Sequence, residues 1–198
     1  MQSPVTTDRL KTPSPDVVRH YIDLFDGDPA SGASDRALAR LFALLPANTS
    51  LEEVLLKVAT LNSLYNTNIF SVVAVAEHIV TLAIDARIAQ GSPEVVEEVA
   101  VVRLGARRRR NYSFATKYCS WHAPRHYPIY DSLVERMLWT YKQSTGFQDF
   151  ARQDLQRYPT FREVIDAFRT HFGLSEFSYK ELDKFLWKHA REVFVSRG

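Results

Sequence analysis

Cysteine is almost missing from this chain. Cys119 is the only one, so no internal disulfide can form, and the composition fits a reducing, cytoplasmic compartment. Long apolar runs are missing too. The nearest approach, NIFSVVAVAEHIVTLAI, is interrupted by Glu77 and His78 and falls short of the roughly 20 residues of a membrane span. It reads as a core helix. The opening MQSPVTTDRLKTPSPD is polar and proline-bearing, with no apolar stretch of the kind a secretory signal needs. Residues 1–15 are therefore expected to be a flexible tail, followed by a single domain over 16–198. Glycine is scarce, at 7 in 198 residues. Neither an internal repeat nor a convincing strand-type alternation is visible.

What is present is helical punctuation. Four Ser/Thr-x-x-Glu boxes, Ser50–Glu53, Ser132–Glu135, Thr160–Glu163 and Ser178–Glu181, predict helix starts, because the hydroxyl and the glutamate can satisfy each other's orphan amides. Gly91, Gly146 and Gly173 stand where helices should stop. The spacing predicts helices near 16–26, 34–45, 50–66, 68–89, 92–103, 112–122, 131–144, 160–172 and 178–195. In FREVIDAFRTHF the apolar residues Phe161, Val164, Ile165, Phe168 and Phe172 recur at the spacing of one buried helix face. The fold class is all-α.

Acid is the other absence, and it is local. No Asp or Glu occurs between Val99 and Tyr130, while seven basic side chains do, four of them consecutive at Arg107–Arg110. Such a field suits phosphates; the alternative is a solvated loop between two helices. Lys117 lies one helical turn beyond Ser113. The interval ends on Asp131, directly after YPIY. Pro128 keeps Tyr127 extended, which places Asp131 and Ser132 at a helix N-terminus. There a carboxylate can simply cap free amides. It can also face the basic, aromatic segment, activating water or stabilising a developing cation.

HYPIYDSLVERML resembles the stretch around the essential aspartate of the helix-hairpin-helix DNA glycosylases, the superfamily of endonuclease III, adenine-mismatch and 8-oxoguanine glycosylases. SFATKYC is similar to the second helix of their hairpin, and LEEVLLKVATLNSLYNTNIFSVVAVAEHIV to their first core helices. The resemblance covers about residues 50–145, with C-terminal helices over 149–198 outside it. The chain as a whole is also similar to bacterial proteins with the 8-oxoguanine-glycosylase fold. This kinship implies a multi-helix bundle with a cleft between helical halves, DNA as partner, and excision of a modified or damaged base without a cofactor. It implies Asp131 as the catalytic carboxylate. Counted back from Asp131, Ser113 falls at the family's nucleophile position. Lys117 sits four residues nearer, as a phosphate contact or an alternative amine nucleophile. ARRRRNYS stands where the family has a glycine-rich turn, so Arg107, Arg108, Arg109 and Arg110 would clamp the DNA backbone, with Asn66, Thr67 and Ser113 as further contacts. Tyr65, Tyr112, Trp121 and Tyr127 would line a pocket for the flipped base. The alternative is an inactive relative that binds nucleic acid or a protein partner, in a bacterial repair or defence setting.

Three other features invite simpler readings. Cys119, His122 and His126 have spacings that suggest a metal, but Pro124 intervenes and no fourth ligand is evident, so no metal site is expected. The patch Asn62, Tyr65, Asn66, Thr67, Asn68 reads as a helix-to-helix turn that could also line a pocket. YKELDKFLWKHAREVF reads as a packing helix.

Overall fold

A computed structural model describes residues 9–195. Ten α-helices and one two-stranded hairpin are found among them, an all-α architecture in which no helix is long and apolar enough to cross a membrane. Of the tail expected over 1–15, residues 1–8 lie outside the described residues. From Arg9 onward the chain is tied down: the Lys11 carbonyl accepts from Tyr141 Oη at 2.9 Å, and the Lys11 amide donates to His189 Nε2 at 3.4 Å.

Helix α1 spans Pro15–Asp26, with Ser14 accepting from the Val17 amide and proline at the first helical position. Helix α2 spans Pro29–Leu44 and begins earlier than predicted, because Asp28 caps the Ser31 amide. Helix α3, Leu51–Tyr65, starts on Ser50 as expected and ends on Asn66 in left-handed geometry. The helix predicted over 68–89 is two helices. Helix α4 covers Val72–Leu82, then Ala83 turns left-handed at φ 47°, and α5 covers Asp85–Ala89.

Helix α6, Glu94–Ala100, also stops early. Val101–Leu104 forms β1 and pairs antiparallel with β2, Arg107–Arg110. The chain reverses at Gly105, whose φ of +62° meets the demand of a tight hairpin. The arginine run is thus a strand and not an interhelical loop. Alternation sends its neighbouring guanidinium groups to opposite faces, which separates like charges.

Helix α7, Tyr112–His122, is central: nine of its eleven residues are buried, as befits a helix covered on every side. Helix α8, Ser132–Thr145, is capped by Asp131, not Ser132. A 3-10 turn at Arg152–Gln156 leads into α9, Tyr158–His171. Thr160 therefore lies inside α9, whose first turn carries Pro159 and whose Tyr158 amide donates to Glu97 Oε1 at 2.9 Å. Helix α10, Tyr179–Phe194, opens with a complete Ser178–Glu181 capping box. It packs between α1 and α8, while α3 packs on α4 and α6 on α7. Gly146 and Gly173 stop α8 and α9 at positive φ. Gly91 is needed twice over: its φ is +73°, and a Cβ there would stand 2.8 Å from the His126 ring.

Candidate active site

Lys117 is the least expected resident of the central helix, with only 3% of its side chain exposed. Its Nζ donates to Ser113 Oγ at 2.6 Å and to the Tyr130 carbonyl at 3.2 Å. Asp131 Oδ2 lies 3.7 Å away, and the Tyr65 ring 5.3 Å away. Burial holds the amine below the ordinary lysine range, although Asp131 and Asp183 pull the other way. A lysine whose desolvation outweighs its partners is one with an accessible neutral form.

Asp131 divides its two oxygens between two tasks. Oδ1 accepts from the Leu133 amide at 2.8 Å, which is the helix cap. Oδ2 turns to Lys117, and 26% of the side chain is open. The capping reading of this residue is therefore realised through Oδ1, while Oδ2 faces the buried amine.

Both groups open on a cavity of about 310 Å³ that lies between α2, α3 and the N-terminus of α8 on one side and α10 on the other. Tyr65, Phe25 and Trp187 give it aromatic walls, and Asn66 sits at its edge. Helix α10 contributes Lys180, Asp183, Lys184, Trp187 and Arg191 to the lining, spaced so that they share one helix face. The opposite face of α10, with Leu182, Phe185, Leu186 and Ala190, is buried in the core. Lys180 pairs with Asp35 at 3.2 Å and lies over the Trp121 ring; burial lowers its pKa to about 8, against the pull of Asp35. Burial pushes the Asp183 carboxyl up to about 7, with Lys117 drawing it back down and Asp131 pushing it further up.

The residues expected to form a base pocket separate into two groups. Tyr65 lines the cavity, its hydroxyl accepting from Trp121 Nε1 at 3.3 Å. Trp121 borders the adjoining shallower cleft with His122 and Arg125. Tyr112 and Tyr127 do not reach the cavity. Tyr112 points into the core, where its hydroxyl donates to the Leu155 carbonyl at 3.1 Å. Tyr127, fully buried, donates to the Ser92 carbonyl at 2.9 Å and stacks on Tyr158. In both cases a core carbonyl satisfies the phenol, so these are packing residues.

Ser113 faces Lys117 and the Tyr130 carbonyl, so its hydroxyl positions the amine. Thr67 donates to Asn62 Oδ1 at 2.8 Å, and the same carboxamide holds both the amide and the carbonyl of Ile69. The asparagine patch is thus a locked turn whose Asn66 borders the cavity. Cys119 is buried, and burial pushes its thiol far up. His122 is held down to about 3 by burial and by the Lys57 ammonium, whose Nζ is 3.4 Å from its ring. Among the described residues no three His, Cys, Asp or Glu side chains converge to hold a metal ion.

The arginine strand does not line the cavity. Arg109 donates to the Asn68 carbonyl at 3.1 Å and lies 4.6 Å over the Phe70 ring. Arg110 pairs with Glu97 at 2.9 Å and covers the Tyr112 ring. Arg107 and Arg108 are exposed and have no acidic partner among the described residues. Arg108 also stands directly across the ladder from Arg103, an opposition of like charge that destabilises a sheet unless an anion sits nearby. Phe70 is 82% exposed. Sequence reasoning missed Phe70, Asp35, Lys180 and Asp183, and it read Trp187 as structural where the structure puts it on the cavity wall; an exposed aromatic beside the polar asparagine patch was the one available signal.

Residues 17–126 match the HI_0787_N family, described as an N-terminal domain. The chain belongs to the HI_0787_N family. Its matched domain carries the arginine strand and Lys117, whereas Asp131, Lys180 and Asp183 lie beyond it. An uncharacterized protein of Haemophilus influenzae is 40% identical over 148 residues, which covers 74% of this HI_0787_N chain and 71% of that protein. No solved structure matches.

Proposed function

We propose that this protein binds DNA and releases a modified or damaged base, with Lys117 and Asp131 as the reacting pair. The observation that carries the reading is a buried amine 3.7 Å from a carboxylate on the wall of a cavity of about 310 Å³. That size lies at the small end of ligand sites and suits one planar base. Tyr65 and Trp187 supply faces for it.

Cleavage of an N-glycosidic bond builds positive charge on the sugar, which Asp131 stabilises as carboxylates do in sugar hydrolysis. Lys117 Nζ attacks C1′ as the neutral amine while the C1′–N bond breaks and its electron pair leaves with the base. The proton shed by the attacking nitrogen passes to Asp131 and then to the departing base. Arg107 and Arg108 contact backbone phosphates, which fix register without reading sequence.

The test is incubation with duplexes that each carry one oxidised, deaminated or alkylated base, with borohydride present. A covalent protein–DNA adduct that Lys117→Gln abolishes is the expected result. Base release without an adduct would transfer the chemistry to a water held by Asp131. Neither adduct nor abasic site on any duplex would refute the enzymatic reading.

One observation favours a second reading, an inactive DNA-binding relative. Ser113, the Tyr130 carbonyl and Asp131 together offer three acceptors to Lys117, the full complement of an ammonium. In that case the lysine only pins α7 to the segment before α8. Salt-dependent DNA binding would persist with no base release.

A further inference from the structure

The charged groups around the cavity can be paired off one by one. Asp131 is committed to the Leu133 amide and Lys117. Asp35 takes Lys180 at 3.2 Å and Lys184 at 3.8 Å. Lys184 is also held by Asp26 at 2.6 Å. One carboxylate is left over. Asp183 lines the cavity, is half-buried on α10, and its carboxylate has no hydrogen bond or ion pair among the described residues.

A carboxylate on a cavity wall that has no partner in the protein keeps its acceptor capacity for whatever enters. Lys117 and Lys180 both influence it, but each is anchored elsewhere, by Ser113 and by Asp35. The two acceptor oxygens of Asp183 therefore face a hollow with Tyr65 and Trp187 among its walls. A planar ring that enters between those aromatic faces meets an acceptor edge.

We infer that Asp183 is the specificity-determining residue of the cavity and selects planar nitrogen heterocycles that present an amino group as hydrogen-bond donor, over analogues lacking it. The inference rests on the reading that a base enters this cavity, and adds which edge of the base is recognised. The discrimination arises because a bound analogue without the amino group covers the carboxylate and leaves it unpaired.

The test uses free heterocycles, so it does not depend on DNA binding or on bond cleavage. Binding of 2-aminopurine, adenine and purine to the full chain is measured by ligand-observed NMR at millimolar concentration and about pH 8.5, where the Asp183 carboxyl, raised to about 7, is ionised. At least one amino compound is expected to bind the wild type about 10- to 100-fold more tightly than purine, the range of a charge-assisted hydrogen bond. In Asp183→Asn, which keeps the size and removes the charge, that ratio should fall toward one. Equal binding of all three compounds by the wild type overturns the assignment. So does a preference unchanged in Asp183→Asn, or no binding of any of them. Amino selectivity in a protein that releases no base would leave this inference standing and sink the proposed chemistry. Base release with no selectivity would do the reverse.

Discussion

Replacing Lys117 with methionine separates the two readings of the buried amine, because they predict stability changes of opposite sign. Methionine follows the lysine stem as far as its ε-carbon, so the packing of α7 is kept. The partners left behind are not orphaned. Ser113 Oγ still donates to the Tyr130 carbonyl at 3.2 Å, and Asp131 still accepts from Leu133 at 2.8 Å. What disappears is a buried charge whose desolvation outweighs its attractions, as the lowered pKa of Lys117 records. Exchanging such a group for an apolar one is commonly neutral or stabilising, here by about 0–2 kcal/mol at pH 7, which raises the melting temperature by about 2–4 °C for each kcal/mol in a chain of this length.

The pH dependence follows from linkage. Above its lowered native pKa, Lys117 has lost its proton in the folded protein while the unfolded chain still holds one, up to about pH 10.4. In that window the wild type gains stability with rising pH by at most about 1.4 kcal/mol per unit, and Lys117→Met does not. The advantage of the variant should therefore shrink between neutral and alkaline pH. Lys57 and Lys180, both lowered to about 8 by burial, titrate in both proteins and cancel from the comparison. Urea denaturation at several pH values between 6.5 and 9.5 provides the assay. A variant less stable than the wild type by more than about 1 kcal/mol at pH 7, with a gap that does not narrow as pH rises, would refute the account. It would identify Lys117 as a structural clamp.

Further expectations concern the carboxylate and the arginine strand. Asp131→Ala removes both the cap and the partner of Lys117, and should cost about 1–2 kcal/mol in urea denaturation; most of that loss should vanish in the Lys117→Met background, because the two groups are coupled. Arg107→Ala and Arg108→Ala should each reduce the slope of log K against log salt by about one for duplex DNA, measured by fluorescence anisotropy, with no change in melting temperature. Arg110→Ala should do the opposite, since that guanidinium is spent on Glu97 and Gln156: about 1 kcal/mol of stability is lost and the salt slope stays put.

The helical framework was legible because its signals are local. The Ser178–Glu181 box and the stops at Gly146 and Gly173 lie within a turn of the ends they define. The strand pair was hidden for an equally local reason. VVRLGARRRR alternates too little to show a period of two, and its valines continue the apolar face of α6. Asp131 outcompeted Ser132 as the α8 cap because its carboxylate reaches the Leu133 amide, and Ser132 already lies within the helix. In the site, Asp131 and Lys117 were legible as chemical types within one charged interval. Asp183 was not. In YKELDKFLWKHAREVF it belongs to the polar face of an ordinary amphipathic helix. Only the arrival of α2 and α3, more than a hundred residues distant in sequence, turns that face into a cavity wall.

That wall also keeps apart charges that could pair. A cluster selected only for stability would let Asp183 neutralise a neighbouring lysine, yet Lys117 and Lys180 are each restrained by other partners and stay beyond pairing distance. The fold thus holds acid and amines apart at the expense of stability. The expense is measurable. Asp183, raised to about 7, keeps its proton in the folded protein after the unfolded chain has released it. The stability this contributes is complete below about pH 4 and is lost as pH rises through about 7. Lys117, Lys180, Asp131 and Asp35 face the group and set the midpoint. Asp183→Asn has no such loss, so its advantage over the wild type should grow from near zero at pH 4.5 to a plateau above pH 7.5, on the order of 2 kcal/mol once solvent in the cavity is allowed for. Thermal melts across that range decide the matter: a difference that is flat with pH, or a less stable asparagine variant at pH 8, would mean that Asp183 has a partner after all.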